Sequence, residues 1–227
     1  MAKKTFFIAG TDTDAGKTFI SQALLSAAKE QGLSCFALKP VAAGCEVTEQ
    51  GLRNDDALKL QQAASVKLSY QQVNPVALEQ AIAPHVAAKR ENKQISLQRI
   101  VGMCNGALMS RADFVLIEGA GGWRVPLNNR ETMAALPKAL NVPVILVVGV
   151  KLGCINHALL SVEAILRDGC ILAGWVANCI DPTMQASEES IETLKMAIRA
   201  PMLGVVPFIE DQSIELAASH LQLSVIL

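Results

Sequence analysis

Residues 10–18 read Gly-Thr-Asp-Thr-Asp-Ala-Gly-Lys-Thr and directly follow an apolar run at residues 5–9. A glycine-containing turn between a strand and a helix gathers backbone N–H groups that bind phosphates, and the N-terminus of the helix adds positive charge. Lys17 can reach the terminal phosphates, and the Thr18 hydroxyl can bind Mg²⁺. Five residues, rather than the usual four, separate the two glycines. The stretch therefore predicts a phosphate-binding loop (P-loop) with a nucleoside triphosphate as its ligand.

The composition and charge of the chain limit the classes of protein to which it can belong. The 227 residues are 51% hydrophobic and carry a formal net charge of −1, which gives no sign of a nucleic-acid surface. The longest apolar run, at 142–150, contains proline and glycine and falls short of the ~20 residues that span a bilayer. The N-terminal apolar run indicates a buried strand rather than a secretory signal. We therefore expect a cytoplasmic protein without nucleic-acid or membrane partners.

The cysteines of the chain are interpreted as reduced thiols. All six lack a C-x-x-C partner and have no zinc-like spacing to the three histidines. Several lie inside apolar segments, where cysteine acts as a small hydrophobic residue. A structural disulfide is the alternative interpretation.

Short apolar runs alternate with segments of helical period, which is typical of a parallel sheet covered by helices. No linker divides the chain, so residues 1–227 are expected to form one domain. The predicted fold is α/β: a single-domain, three-layer α/β/α P-loop fold with a mostly parallel, seven-stranded sheet. The predicted strands are Thr5–Ala9, Ser34–Leu38, Asp113–Glu118, Val144–Gly149, Ala173–Asn178, Leu203–Val206 and Leu223–Leu227.

Helices fill the gaps between these strands. The segment Lys17–Gln31 keeps apolar residues on one face and closes at Gly32. Ser187 has the character of an N-cap, with two glutamates directly after it. The stretch 41–111 breaks the alternation, because it is polar at first, helical later, and holds no convincing strand. We expect it to form helices and loops over the carboxyl end of the sheet, where substrates bind.

Acidic residues stand where a magnesium site would be built. Glu118 ends the third strand and precedes Gly-Ala-Gly-Gly, which lets a backbone approach phosphates; a solvated acid is the alternative. Asp55 and Asp56 follow Asn54, a predicted N-cap, and an acid suits a first helical turn on electrostatic grounds alone. Mg²⁺ takes oxygen ligands and usually one or two carboxylates. Thr18, Glu118 and one of the two aspartates would suffice.

Three further positions lie at the ends of predicted elements. Lys39 follows the second strand and precedes proline, so it is either a second lysine in the cleft of Lys17 or an incidental surface residue. The segment 151–157 opens a helix whose free N–H groups form an anion site, whereas His157 is interpreted as a packing or capping residue. Asn178 ends the fifth strand, a position suited to reading a nucleotide base.

Taken in order along the chain, several stretches resemble the dethiobiotin synthetase family. The longer spacing of the P-loop is the form that this family uses. The matching pieces are the P-loop at 10–18, Lys-Pro-Val-Ala at 39–42, Gly-Leu-Arg-Asn-Asp-Asp-Ala at 51–57, Asn-Pro at 74–75, Pro-His at 84–85, Glu-Gly-Ala-Gly-Gly-Trp at 118–123, Val-Val-Gly-Val-Lys-Leu-Gly-Cys-Ile-Asn-His at 147–157 and Gly-Trp-Val-Ala-Asn at 174–178. Their order and spacing over almost the whole chain make the match specific.

The resemblance implies an ATP- and Mg²⁺-dependent ring closure. Carbon dioxide adds to the 7-amino group of 7,8-diaminopelargonic acid to give a carbamate, which the γ-phosphate of ATP activates as a mixed anhydride. The 8-amino group then closes the ureido ring of dethiobiotin and expels phosphate. The chain would thus be a ligase of biotin biosynthesis. Family members are homodimers with the substrate site at the subunit interface.

The resemblance also implies roles for individual residues. Lys17 and Lys39 are the implied catalytic residues, and the implied metal ligands are Thr18, Asp56 and Glu118. The implied diamine site comprises Thr13, Lys39, the turn Ala42–Gly44 with Ala43 at its centre, and Gly121. Gly153, Cys154, Ile155 and Asn156 are implied to bind the substrate carboxylate across the interface. The implied ATP-binding residues are Asp14, Ala15, Gly16, Lys17, Thr18, Phe19, Asp56, Glu118, Gly119, Ala120, Gly121, Asn178, Cys179, Val206, Pro207, Phe208 and Asp211.

Three residues depart from the family pattern. Ala43 stands in place of a serine, Asp14 in place of a commoner glutamate, and Cys179 where an aspartate is expected. Without a hydroxyl at position 43, substrate binding would be weaker by ~0.5–1.5 kcal/mol if nothing replaces its hydrogen bond. The change at Cys179 leaves the base preference open. None of the three removes a group that the chemistry requires.

Two other functions use the same kind of loop. An amide-forming ligase of the cobyrinic acid synthase type would share the phosphoryl-transfer chemistry, and dependence on bicarbonate and the diamine would separate the two. A partitioning or positioning ATPase would commonly carry an additional lysine near the start of the loop, but residues 10–15 contain none. Such an ATPase, when it binds a membrane, also carries a C-terminal amphipathic helix. Here the C-terminal Leu-Gln-Leu-Ser-Val-Ile-Leu indicates a strand instead. The sequence therefore favours the ring-closing ligase.

Overall fold

The computed structural model of the protein describes residues 3–227, which form both strands and helices. In chain order the elements are β1 (Lys4–Gly10), α1 (Lys17–Glu30), β2 (Cys35–Leu38), β3 (Val41–Ala42), β4 (Glu46–Thr48), β5 (Gly51–Arg53), α2 (Asp55–Ala63), α3 (Tyr70–Val73), β6 (Val76–Ala77), α4 (Pro84–Arg90), α5 (Leu97–Leu108), β7 (Phe114–Gly122), α6 (Ala135–Leu140), β8 (Val144–Val150), α7 (Cys154–Arg167), β9 (Leu172–Cys179), α8 (Ser187–Ala197), β10 (Met202–Val206), α9 (Ile214–Ser219) and a 3₁₀ turn at Leu223–Val225.

Six parallel strands form the central sheet in the order β10-β9-β8-β1-β7-β2. β1 lies between β7 and β8, so the P-loop leaves the sheet at the middle of its carboxyl edge. In register, Ile8 of β1 is opposite Glu118 of β7 and Ile145 of β8. The predicted α/β class and parallel sheet are confirmed, and the ends of the site-bearing strands lie at one edge.

Helices cover both faces of the sheet because its central strands bury side chains on both sides. All seven residues of β8 are buried. Neighbouring residues of β1 point to opposite faces: Ile8 joins the core formed with α1 and α9, and Phe7 joins the core formed with α5 and α7. The sheet is therefore the middle of three layers, and only its edges are free for ligands.

The predicted seventh strand at residues 223–227 is wrong, and the sheet of the described chain has six strands. The backbone N–H of Gln222 donates to the carbonyl oxygen of Leu203 in β10 at 2.7 Å, which is a contact at one point of the sheet edge. The chain then enters the 3₁₀ turn, in which Leu223 is buried in the core beside α1. An apolar terminal run can thus cover a strand edge without pairing along it.

The stretch 41–111 contains strands that the sequence analysis did not predict. β3 pairs with β6 in parallel, and β4 pairs with β5 as an antiparallel hairpin. Strands of two or three residues leave no periodic pattern by which they could be recognised. The helical end of the stretch, α5, packs through Ile100 and Cys104 into the same core as Phe7. This helix therefore belongs to an outer layer of the fold rather than to the carboxyl edge.

The structure also tests the predictions about helix caps, cysteines and membrane-spanning segments. α8 begins at Ser187, so its N-cap is Ala186, one residue earlier than predicted. The Asn54 side chain caps α2 as predicted, by accepting the N–H of Ala57 at 3.2 Å. All six cysteines are free thiols. Within residues 3–227, no helix combines the length and the apolar character needed to cross a membrane.

Candidate active site

A cleft of about 840 Å³ opens at the carboxyl edge of the sheet, over the P-loop. Most of the residues predicted from the sequence line it, which brings together segments that are far apart in the chain. The predicted site residues that line this cleft are Thr13, Asp14, Gly16, Lys17, Thr18, Phe19, Lys39, Ala43, Asp56, Ala120, Gly121, Asn178, Cys179, Pro207 and Phe208.

The P-loop is held in shape by a contact with the end of β9. Gly16 has a φ of +83°, and a Cβ atom there would lie 2.2 Å from Nδ2 of Asn178. That nitrogen donates to the carbonyl oxygen of Ala15 at 3.0 Å, and Asn178 is only 4% exposed. Only glycine fits this backbone and this close approach. Asn178 therefore fastens the loop to the sheet, and its contact with a nucleotide base stays a prediction.

Lys17 lies over the backbone of its own loop. Its ammonium donates to the carbonyl oxygens of Asp12 at 2.8 Å and Thr13 at 3.1 Å. Burial lowers the pKa of Lys17 to about 8, and the positive charge of nearby Lys39 contributes to that lowering. The lysine is therefore a desolvated cation whose charge an incoming anion would stabilise.

Lys39 is a cleft residue rather than an incidental surface lysine. Its Nζ atom lies 2.6 Å from Oε1 of Glu118 and 3.1 Å from Oδ2 of Asp56, and also donates to the carbonyl of Gly119 at 3.3 Å. Burial alone would lower the pKa of Lys39, but the two carboxylates outweigh it and raise that pKa above its usual value. Lys39 therefore remains charged.

The two aspartates at the start of α2 differ in where their side chains lie. Burial would raise the pKa of Asp56, but the charge and the hydrogen bond of Lys39 lower it on balance. Asp55 instead pairs with Lys59 at 2.7 Å one turn along α2, and its side chain is 77% exposed. Asp56 lines the cleft, whereas Asp55 faces solvent beside the helix.

Glu118 lies beneath the cleft floor and is 0% exposed. Its Oε1 atom accepts the Thr18 hydroxyl at 2.8 Å as well as the Lys39 ammonium. Its Oε2 atom accepts the hydroxyl of Ser21 at 2.9 Å. Ser21 is completely buried, and sequence reasoning missed it. Its spacing of three residues from Thr18 on the same helix face was the available signal.

Some predicted residues do not line the cleft. Ala15 and Gly119 contribute backbone carbonyls as described above, and Val206 is buried at the end of β10. Asp211 accepts the N–H of Ser213 at 3.1 Å, close to the start of α9. Gly153, Cys154, Ile155 and Asn156 begin α7 and are absent from the lining of this chain's own cleft.

Other residues of the cleft surroundings were not predicted. Lys151 pairs with Asp12 at 2.5 Å, which ties the P-loop to the segment before α7. Hydrogen bonding from Lys151 is the main cause that lowers the pKa of Asp12. Arg124 forms a two-point ion pair with Asp168 at 2.7 and 3.0 Å and does not line the cleft. Ala42 lines the cleft as part of the predicted turn 42–44, and the unpredicted lining residues are Asn54, Lys59, Ala81, Ile82, Ala83, Pro84, Val125, Pro126, Ile180, Ile209 and Gln212.

Known proteins resemble this chain over almost its whole length. A family model described as an AAA domain matches residues 4–215. A Cellvibrio japonicus protein named ATP-dependent dethiobiotin synthetase BioD is 58% identical over 227 residues, covering 100% of this chain and 99% of that protein. A Marinobacter nauticus protein of the same name is 56% identical over 212 residues, covering 93% and 91%.

The solved structures with a similar fold are more distant. The MinC:MinD cell division protein complex of Aquifex aeolicus matches with a TM-score of 0.58 and 11% identity, over 96% of this chain and 86% of that chain. At this identity the match establishes a shared fold and nothing about activity.

Proposed function

The chain belongs to the ATP-dependent dethiobiotin synthetase family, and we propose on this premise that the cleft over its P-loop carries out the ring closure. The reaction of the family is a ligation that uses ATP and forms C–N bonds in biotin biosynthesis. The observation that carries the assignment to this cleft is the meeting of two buried lysines, Lys17 and Lys39, at one end of the sheet.

The reaction has three steps. The 7-amino group of 7,8-diaminopelargonic acid adds to CO2 and loses a proton, which gives a carbamate. A carbamate oxygen then attacks the γ-phosphorus of ATP, ADP leaves, and a carbamic–phosphoric anhydride forms. In the last step the 8-amino group attacks the anhydride carbon and loses a proton, phosphate leaves, and the ureido ring of dethiobiotin closes.

The two lysines stabilise the negative charge that moves during these steps. Lys17 extends from the P-loop to the transferring phosphoryl group, and Lys39 approaches it from the end of β2. Cations that the protein holds in place stabilise developing oxyanions strongly, because these groups do not have to reorient during the reaction. Their charge also favours the neutral form of a nearby substrate amine, and only a neutral amine can attack CO2.

The residues around Lys39 fit a magnesium ion. Thr18, Asp56 and Glu118 supply a hydroxyl and two carboxylates, the hard oxygen donors that Mg²⁺ prefers, and substrate phosphates commonly complete such sites. Among residues 3–227 there is no cluster of three or more His, Cys, Asp and Glu side chains that would hold a metal by itself. Bound Mg²⁺ would neutralise charge on the ATP phosphates. In the protein alone, Lys39 supplies the positive charge between the two carboxylates.

The remaining lining residues suggest two subsites of the cleft. We assign the phosphates and base of ATP to the P-loop, Asn178 and Cys179, and the residues 206–208 at the end of β10. We assign the diamine to the opposite side, at Thr13, Ala43 and Gly121. The carbonyl oxygen of Ala43 accepts Nδ2 of Asn54 at 3.3 Å, so the backbone of this turn is fastened although the family's serine hydroxyl is missing.

A homodimer would complete the diamine site. The start of α7 at 153–156 does not line the chain's own cleft, but its free N–H groups suit the substrate carboxylate of a second copy. Leu152, just before α7, is 90% exposed, and Leu160, within α7, is 56% exposed; a second copy would cover such apolar side chains. Sedimentation of the purified protein tests the dimer. A cytoplasmic location is proposed with it, as for a biosynthetic enzyme with free thiols.

The decisive experiment follows phosphate release from Mg·ATP and bicarbonate, with and without 7,8-diaminopelargonic acid, and detects dethiobiotin by mass. Phosphate release that depends on the diamine and matches dethiobiotin one to one is the expected result. Phosphate release that ignores the diamine, without a ureido product, would leave a nucleotide-binding cleft but remove the proposed reaction.

A further inference from the structure

A buried hydrogen-bond network lies behind Lys39. Tyr70, the first residue of α3, is 8% exposed and is the only tyrosine of the chain. Its hydroxyl accepts the backbone N–H of Asn54 at 2.7 Å and donates to Oδ1 of Asn74 at 3.0 Å. One phenol oxygen therefore joins the residue that caps α2 to the residue that follows α3.

Both partners of the Tyr70 hydroxyl, Asn74 and Asn54, are linked to a side chain of the proposed active site. Nδ2 of Asn74 donates to the carbonyl oxygen of Lys39 at 2.6 Å, and so fixes the backbone from which that lysine extends. Asn54 caps α2, whose first turn carries Asp56. The Asp56 carboxylate in turn binds the Lys39 ammonium. Tyr70 thus connects the supports of two side chains that meet in the cleft.

The network is shielded from water, and its polar groups are paired. Asn54 is 7% exposed and Asn74 is 3% exposed. Burial raises the pKa of Tyr70, so its hydroxyl keeps the proton that it donates. The guanidinium carbon of Arg53 lies 4.2 Å from the centre of the Tyr70 ring, which holds the ring from its other side. A buried polar network of this kind specifies one arrangement of the segments that it joins.

We propose that Tyr70 is a positioning residue for the ring closure, which sets where the Lys39 ammonium stands relative to Asp56 and to the transferring phosphoryl group. Tyr70 does not line the cleft, so it acts through Asn74 and Asn54 and not on the substrate. Because this role rests on the proposed function of Lys39, its test must separate a wrong role for Tyr70 from a wrong reaction.

The test is the steady-state kinetics of Tyr70→Phe, which removes the hydroxyl but keeps the ring under Arg53. We expect kcat for dethiobiotin formation to fall about tenfold or more, with the KM for ATP within about twofold, because Tyr70 makes no contact with the P-loop. The matched control is Ser65→Ala, which removes a hydroxyl bonded to the Cys35 backbone at the opposite end of β2. The control should keep the kcat of the unmodified chain.

A double variant tests whether the effect of Tyr70 passes through Asn74. Because Tyr70 acts partly through Asn74, the double variant Tyr70→Phe/Asn74→Ala should lose less activity than the product of the two single losses. Losses that multiply, or a Tyr70→Phe enzyme with unchanged kcat, would overturn the proposal. If the unmodified chain itself forms no dethiobiotin, it is the proposed function that fails.

A spectroscopic measurement tests the proposal with the Tyr70 hydroxyl still in place. 3-Fluorotyrosine incorporated during expression labels only this residue, because the chain has one tyrosine. The single ¹⁹F resonance should shift in Lys39→Ala and stay unchanged in Ser65→Ala. A resonance that does not respond to Lys39→Ala would show that the network and the lysine are independent, which contradicts the proposal.

Discussion

Nζ of Lys39 lies 2.6 Å from Oε1 of Glu118, and the two side chains are among the few buried charged groups of the described chain. Asp56 binds the same ammonium, so one cation neutralises two carboxylates. A buried ion pair adds little net stability, but it becomes costly when one partner is removed. This asymmetry makes Lys39 a residue whose loss affects folding as well as chemistry.

Lys39→Ala should therefore show two effects. Its kcat for dethiobiotin formation should fall ~10²- to 10³-fold, as for the loss of one strong oxyanion-stabilising group. Its free energy of unfolding should fall by ~3–5 kcal/mol, because Glu118 stays buried without a counter-charge. Urea unfolding measures the second effect, with Lys195→Ala as the control: that lysine has an exposed pair with Glu192, worth ~0–1 kcal/mol. Equal unfolding midpoints for both variants would contradict the prediction.

ATP binding should take up a proton at alkaline pH. The pKa of Lys17 is lowered to about 8 by burial, so the free enzyme loses this charge as the pH rises through that value. Bound phosphates favour the charged form and raise the pKa again. The affinity for ATP should thus be highest at pH values below the Lys17 pKa of about 8 and should fall as the pH rises above that value. Calorimetry at about pH 9 in two buffers of different ionisation enthalpy measures the uptake. Lys17→Arg, which stays charged, should show none.

Gly16→Ala should weaken ATP binding at least about tenfold, through two separate causes. The backbone there has a φ of +83°, and a Cβ atom would lie 2.2 Å from Nδ2 of Asn178. A left-handed conformation alone costs a non-glycine residue ~1–2 kcal/mol. In the Asn178→Ala background the collision is absent but the backbone cost remains, so adding Gly16→Ala there should weaken ATP binding less than it does in the unmodified chain, but still measurably. An equal loss in both backgrounds, or no loss in the Asn178→Ala background, measured by calorimetry, would contradict this division.

The fold was largely readable from the sequence, for physical reasons. Strands buried on both faces appear as short continuous apolar runs, and the P-loop fixes where the first of them ends. The run at residues 223–227 has the same composition, yet it forms a 3₁₀ turn. Whether an apolar segment pairs along a strand or merely covers it depends on where the preceding helix leaves the chain, which no local pattern contains.

A site residue could be predicted where its own type and its position in the sequence indicate its role. It could not be predicted where the role depends on the folded geometry. Asp55 and Asp56 both suit the first turn of α2, and only the direction in which that helix faces the cleft separates them. Ser21 looks like an ordinary small residue on a buried helix face, because its partner Glu118 is 97 positions away in the sequence. Tyr70 likewise reaches Lys39 only through the folded network.

Ser21→Ala tests whether the Glu118 carboxylate needs its second donor. The Ser21 hydroxyl donates to Oε2 at 2.9 Å in a place that is closed to water, so nothing replaces it in the variant. A hydrogen bond to a charged group contributes ~1.5–3 kcal/mol, which predicts a roughly tenfold or larger rise in the Kd for Mg·ATP. The Kd for ATP without metal should change far less, because Ser21 makes no contact with the cleft.

Calorimetric titrations of ATP, with Mg²⁺ and with a chelator, separate these two quantities. Ser161→Ala is the matched control, since it removes a helix hydroxyl that bonds only to the carbonyl of His157 on the exposed side of α7. The control should bind ATP as the unmodified chain does in both titrations. If Ser21→Ala weakened both titrations equally, the serine would support the P-loop helix as a whole, and its proposed effect on the Glu118 carboxylate as a magnesium ligand would be wrong.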